Sequence, residues 1–82
     1  MQRDDILKDV EKLCQEIFDN DQLSIDEKIS ADDIEEWDSF AHVSLIIALQ
    51  NFFKIKFALG ELQDIQNIGG LITLVQLKLD AT

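Results

Sequence analysis

Residues 38 to 42 bring together a carboxylate, a hydroxyl and the chain's only imidazole, at Asp38, Ser39 and His42. Two chemistries use such groups. In nucleophilic catalysis the imidazole takes the hydroxyl's proton and the carboxylate orients the imidazole. That arrangement needs a glycine-flanked turn beneath the nucleophile and an oxyanion site, and residues 36 to 42 hold no glycine. In the second chemistry the hydroxyl is itself the acceptor of a group. A helix beginning here has N–H groups without intrahelical acceptors and a dipole that favours negative charge. Asp38 or Ser39 can cap that helix, and a phosphodiester built on the Ser39 hydroxyl would lie beside the same donors. An Asp-Ser pair also serves as a plain cap, so its context must decide.

The other reactive side chains point to packing or solvation. Cys14 falls on an apolar helical stripe with no His or Lys at helical spacing to lower its pKa, and reads as a small hydrophobe of the core. Residues 16 to 38 carry ten carboxylates against the single Lys28, which raises calcium as a question. Against the twelve-residue EF-hand template begun at Asp19, Asp21 fits the third place. Leu23 takes the fifth, Ser24 stands for the glycine at the sixth, and Ser30 for the bidentate glutamate at the twelfth, so no metal site is expected.

The elements that must position Ser39 follow from apolar spacing. Ile6, Leu7, Val10, Leu13, Cys14, Ile17 and Phe18 predict an amphipathic first helix over residues 3 to 18. Its exposed side carries Asp4 before Lys8 and Lys8 before Glu11 at pairing distance, a solvated face. Residues 19 to 38 form a long acidic connection, a length usually functional or partly structured. Leu23, Ile25, Ile29, Ile34 and Trp37 are placed to pin it to a core, and Ser24 with Glu27 fits a capping box for one short turn.

The second helix is predicted from Ser39 to about Phe53, over which there is no Asp, Glu, Lys or Arg. His42, Leu45, Ile46, Leu49, Phe52 and Phe53 make a core stripe, while Phe40, Val43 and Ile47 make a second apolar face. That second face reads either as a docking surface or as the mark of a central, fully covered helix. After Lys54-Ile55-Lys56-Phe57, Gly60 predicts a turn and residues 61 to 65 a short third helix. Ile68, Leu71, Ile72, Val75 and Leu79 predict a last helix, with Asn67 as cap and Gly69 and Gly70 in a first turn where they permit close packing.

Eighty-two residues make one domain with one core, spanning residues 1 to 82, and leave little room for a large active-site cleft. The net charge of −10 argues against nucleic acid and anionic membranes and for basic protein partners. No signal peptide is apparent, and the longest apolar run is Leu45 to Leu49, so a soluble, cytoplasmic chain is expected. One cysteine excludes an internal disulfide framework, and no proline, repeat or low-complexity stretch marks a linker.

In this frame the chain resembles the acyl carrier proteins. Asp38-Ser39-Phe40 is similar to the family's Asp-Ser-Leu, and Val43, Leu45, Ala48, Leu49 and Phe53 stand in the register of its second helix. Ile34, the Lys56-Phe57 step and Asn67-Ile68-Gly69-Gly70-Leu71 match further landmarks. The resemblance implies an all-α fold, a small four-helix bundle of three main helices and one short one, with a long loop between the first and second. It implies that Ser39 bears 4′-phosphopantetheine, transferred from coenzyme A by a phosphopantetheinyl transferase with Mg²⁺, with Asp38 beside it at the helix start. Acyl or aminoacyl cargo would then ride as a thioester on a monomeric, non-catalytic carrier, visiting loading and processing enzymes of fatty-acid, polyketide or related synthesis. Where relatives have acids along the second helix this chain has Ala41, Ser44, Gln50 and Asn51. The docking footprint is therefore expected on Asp32, Asp33, Glu35, Glu36 and Asp38, with Glu61 and Asp64 across from them, around the apolar Phe40, Val43 and Ile47. The competing reading is an acidic helical adaptor with no prosthetic group.

Overall fold

The computed structural model describes residues 2–58, 60–61, 65 and 67–80. The chain is all-α: α1 (Arg3–Ile17), a 3₁₀ turn at Ala31–Asp33, α2 (Ser39–Phe53) and α3 (Ile68–Asp80), with no strand among the described residues. The short helix expected at residues 61 to 65 falls mostly outside them; Gly60 and Glu61 are helical.

The apolar stripes explain the packing. Ile6, Val10 and Cys14 of α1, Leu45 and Leu49 of α2, and Ile68, Leu71, Ile72 and Val75 of α3 are fully buried in one core, α1 lying against both partners. Asp4 and Asp5 in the first turn of α1 complement its dipole, and Phe18 closes the helix with its N–H on the Cys14 carbonyl.

The long connection is pinned as its spacing predicts, with Ile25, Ile34 and Trp37 buried and Leu23 and Ile29 packed at the core's edge. One expectation about it is corrected. The capped turn is not at Ser24 but at Ser30, whose N–H donates to Asp33 Oδ2 (2.9 Å) while the Asp33 N–H donates back to the Ser30 carbonyl (3.0 Å). Glu27 is instead drawn into an ion pair with Arg3. The polar side of α1 is also more than a solvated face. Glu11 Oε2 accepts from the Ile25 N–H (2.9 Å) and Gln15 Nε2 donates to the Leu23 carbonyl (2.8 Å), so α1 stitches the loop's backbone to itself. The expected Asp4–Lys8 and Lys8–Glu11 pairs do not form; among the described residues the ion pairs are Arg3–Glu27 and Glu61–Lys78.

The loop meets α3 through backbone. The Ile68 and Gly69 N–H groups donate to the Ile29 and Glu27 carbonyls, both at 2.8 Å. A Cβ at Gly69 would stand 2.9 Å from the Glu27 carbonyl oxygen, so the close approach expected of this glycine is real. Asn67 Oδ1 caps α3 through the Gly70 N–H at 2.7 Å. Arg3 completes the junction, donating to Glu27, to the Gly69 carbonyl (3.1 Å) and to Thr73 Oγ1 (2.8 Å). Two segments distant in sequence are thereby fixed, and the loop's far end is delivered to the start of α2.

Candidate functional site

Asp38 is the N-cap of α2, extended at φ −94° and ψ −174°, and its Oδ1 accepts from the Ala41 N–H at 2.8 Å. Its carbonyl takes the His42 N–H at 2.9 Å. A carboxylate cap suits the positive end of a helix and satisfies one of its orphan donors. Ser39 is therefore the first helical residue. Its side chain is exposed and makes no hydrogen bond, and the Ser39 and Phe40 N–H groups find no acceptor among the described residues. An uncommitted hydroxyl thus stands beside uncommitted donors, a place that fits an esterified phosphate.

The chain entering this cap is rigid. Trp37 is buried, packing on Phe18 with ring centroids 6.1 Å apart. Its indole Nε1–H donates to His42 Nδ1 at 3.1 Å, and the two rings lie edge to edge, centroids 5.9 Å apart and planes 23° apart. His42, on the stripe expected to face the core, is half-buried. Ala31, Trp37, Asp38, Ser39, His42 and Val43 line one open cleft of about 520 Å³. His42 Nδ1 faces Trp37 rather than a hydroxyl, so no relay from Ser39 through His42 to a carboxylate is assembled.

The two apolar faces of α2 separate cleanly with one exception. Ala41, Leu45, Ile46, Leu49 and Phe53 are buried, while Phe40 is 82% exposed, Val43 56% and Ile47 51%. Phe52 is the exception: expected in the core, it is 52% exposed, and Phe53 takes the buried position with Phe52 edge-on against it. Of the acids, Asp32, Asp33, Glu35, Glu36 and Asp38 are all exposed on the approach to Ser39. Asp33 is committed to Ser30 and Asp38 to its cap. Glu61 is also committed: its Oε1 lies 2.8 Å from Lys78 Nζ and accepts the Ala58 N–H at 2.7 Å. The Lys78 hydrogen bond, and after it that of Ala58, hold the Glu61 carboxyl below the usual range. Glu61 therefore offers less free charge than its sequence position suggests, and Asp64 lies outside the described residues. Cys14 is fully buried and takes no part; burial, and then the nearby Glu11, push its thiol up to about 12.

The Trp37–His42 bond escaped sequence reading. The residues stand five apart across a helix cap, so neither the helical nor the strand period pairs them, and a tryptophan before an N-cap is the only local hint.

No protein-family model matches the chain, and no curated protein matches it significantly. Among solved structures, the solution structure of a holo acyl carrier protein from Geobacter metallireducens superposes with a TM-score of 0.86. The two sequences are 43% identical over 92% of this chain and 86% of that one. A likeness of that extent covers sequence as well as backbone, and this chain, a carrier rather than a catalyst, belongs to the acyl carrier protein family.

Proposed function

We infer that this carrier protein bears 4′-phosphopantetheine on Ser39 and uses it to hold acyl or aminoacyl intermediates. The observation that carries the reading is the free, exposed Ser39 hydroxyl at the first position of a helix already capped by Asp38, beside unclaimed Ser39 and Phe40 N–H groups. Asp38 supplies the cap, so Ser39 is spared that duty and its oxygen can bond to phosphorus. In the transfer, Ser39 Oγ would form a bond to the coenzyme's pantetheine-linked phosphorus as the pyrophosphate link breaks. The serine proton is lost and adenosine 3′,5′-bisphosphate leaves. The bound group supplies a terminal thiol that carries cargo as a thioester, and tethering raises its effective concentration at each docked enzyme.

Docking follows from the surface around the serine. Phe40, Val43 and Ile47 form an uncovered apolar strip on α2, and the exposed Asp32, Glu35 and Glu36 supply negative charge beside it. Partners would be a phosphopantetheinyl transferase and the loading and processing enzymes of fatty-acid, polyketide or related synthesis, each presenting an apolar contact edged by basic residues. A monomer acting in the cytoplasm fits this role; no helix among the described residues is long and apolar enough to cross a membrane.

Incubation with coenzyme A, Mg²⁺ and a promiscuous phosphopantetheinyl transferase tests the reading by intact mass. One arm is gained by the chain and none by Ser39→Ala. An unchanged mass for both would leave an adaptor without a prosthetic group.

A further inference from the structure

We propose that His42 is a positioning residue for whatever is esterified on Ser39, its Nε2–H donating to the phosphodiester and holding the base of the arm against the cleft. The proposal rests on the Ser39 attachment above and adds a role for a side chain that attachment does not require. Its geometry begins with Trp37. An indole N–H can only donate, so the 3.1 Å bond from Trp37 Nε1 requires a lone pair on His42 Nδ1. The neutral ring then carries its proton on Nε2, which has no partner among the described residues. The ring is also held near the plane of the indole, 23° from it, and that indole is itself buried against Phe18.

His42 follows Ser39 by three residues, the spacing at which helical side chains are neighbours, and both line the same cleft. No other side chain from Ser39 through Ile46 offers an N–H, and α2 carries no Lys or Arg. A phosphodiester on Ser39 keeps its negative charge across the working pH range and so draws the strongest donor within reach. The structure offers two backbone N–H groups from the helix start and, on a side chain lining the same cleft, one imidazole N–H of fixed tautomer. The buried Trp37 thus sets which proton His42 presents, five residues away and across the cap.

Nuclear magnetic resonance on the apo and holo proteins tests this without relying on any variant's folding. A long-range proton–nitrogen correlation should show the Nε2–H tautomer in both forms. Exchange of that proton with solvent should slow about tenfold in the holo form, the factor expected of a charge-assisted hydrogen bond of ordinary strength. Two variants then separate the bonds of the ring. His42→Asn keeps an acceptor for Trp37 and places no donor at the Nε2 position, and should displace the holo phosphorus resonance from its wild-type position. His42→Gln keeps a donor near Nε2 and should leave that resonance close to wild type. A ring that only packs would not distinguish the pair. Holo mass with an unchanged exchange rate and one phosphorus shift for all three proteins overturns the role of His42 alone. Failure of the arm to attach overturns the attachment and this role with it.

Discussion

Gly69 and Gly70 are adjacent in the first turn of α3, yet replacing them by alanine should move stability in opposite directions. Alanine gains up to about 1 kcal/mol over glycine inside a helix, and neither glycine has a positive φ that a Cβ would strain. At Gly70 the new Cβ meets only Asn67 Oδ1 at 3.4 Å, an ordinary contact. Gly70→Ala should therefore keep most of the gain, about 0.5–1 kcal/mol, and raise the melting temperature by roughly 2–8 °C for a domain of this size. At Gly69 the Cβ meets the Glu27 carbonyl oxygen at 2.9 Å. That atom is backbone and cannot swing aside. It is also the acceptor of the Gly69 N–H, next to the Ile68 to Ile29 bond. Relieving the clash means shifting the loop from α3 and stretching both bonds. Overpacking of this kind costs about 1–3 kcal/mol, against which the propensity gain of about 1 kcal/mol is insufficient. Gly69→Ala should lose up to about 2 kcal/mol net, a fall of up to roughly 16 °C. Urea and thermal unfolding followed by circular dichroism read both values. A Gly69→Ala protein as stable as wild type would refute the docking of loop on helix described above.

Acid should weaken the fold in part through its two paired glutamates. Hydrogen bonding from Arg3 holds the Glu27 carboxyl below its ordinary value, as Lys78 and Ala58 do for Glu61. A depressed carboxyl stabilises the fold above its unfolded value, about 4.3, and the contribution is lost as pH falls through the folded value. Stability should be level near neutrality and decline below about pH 4; Glu27→Gln should lower the plateau and flatten the decline, and an unchanged slope in pH-dependent urea melts would count against the Arg3 pairing. The Cys14 thiol, at 0% exposure, should resist an aromatic disulfide reagent at pH 8 and react only as fast as the core opens; prompt labelling in native buffer would contradict its burial. Val43→Asp and Ile47→Asp fall on exposed positions and should alter stability by no more than about 0.5 kcal/mol. On the proposed function both slow modification of Ser39 by the transferase, and extensive unfolding in circular dichroism would place these side chains in the core instead.

Legibility in the sequence followed the range of the interaction. The α1, α2 and α3 stripes, the Asp38 and Asn67 caps and the close packing at Gly69 could be read because each is a local pattern with a local cause. The choice between Ser24 and Ser30 for the capped turn could not. Both serines precede an acid by three residues, and what decides is that Arg3, distant in sequence, claims Glu27. Glu11 and Gln15 likewise bond to loop backbone, a contact that leaves no periodic trace. Phe52 and Phe53 are neighbours 100° apart on the helix, and apolar spacing near a helix end does not say which one the core reaches. At the site the same division holds. The serine at the seam between charge and neutrality is visible in the sequence, whereas the Trp37–His42 bond that fixes the imidazole is not.

The separation of charge from apolar surface has consequences for how a carrier of this kind would be recognised. On the proposed function, an uncharged α2 would dock through Phe40, Val43 and Ile47 alone, a contact that would gain free energy by excluding water and govern how long a complex lasts. Attraction at a distance must come from elsewhere. Asp33, Asp38 and Glu61 are tied to Ser30, Ala41 and Lys78, which leaves Asp32, Glu35 and Glu36 as carboxylates without partners among the described residues on the approach to Ser39. Exposed charges of that sort steer encounter and set salt dependence more than they add affinity. On the proposed function, added salt should therefore slow association with a basic partner while changing dissociation little, and truncating the α2 strip should do the reverse. A carrier with acids along its second helix mixes the two effects on one surface; here they lie on consecutive segments that meet at the serine.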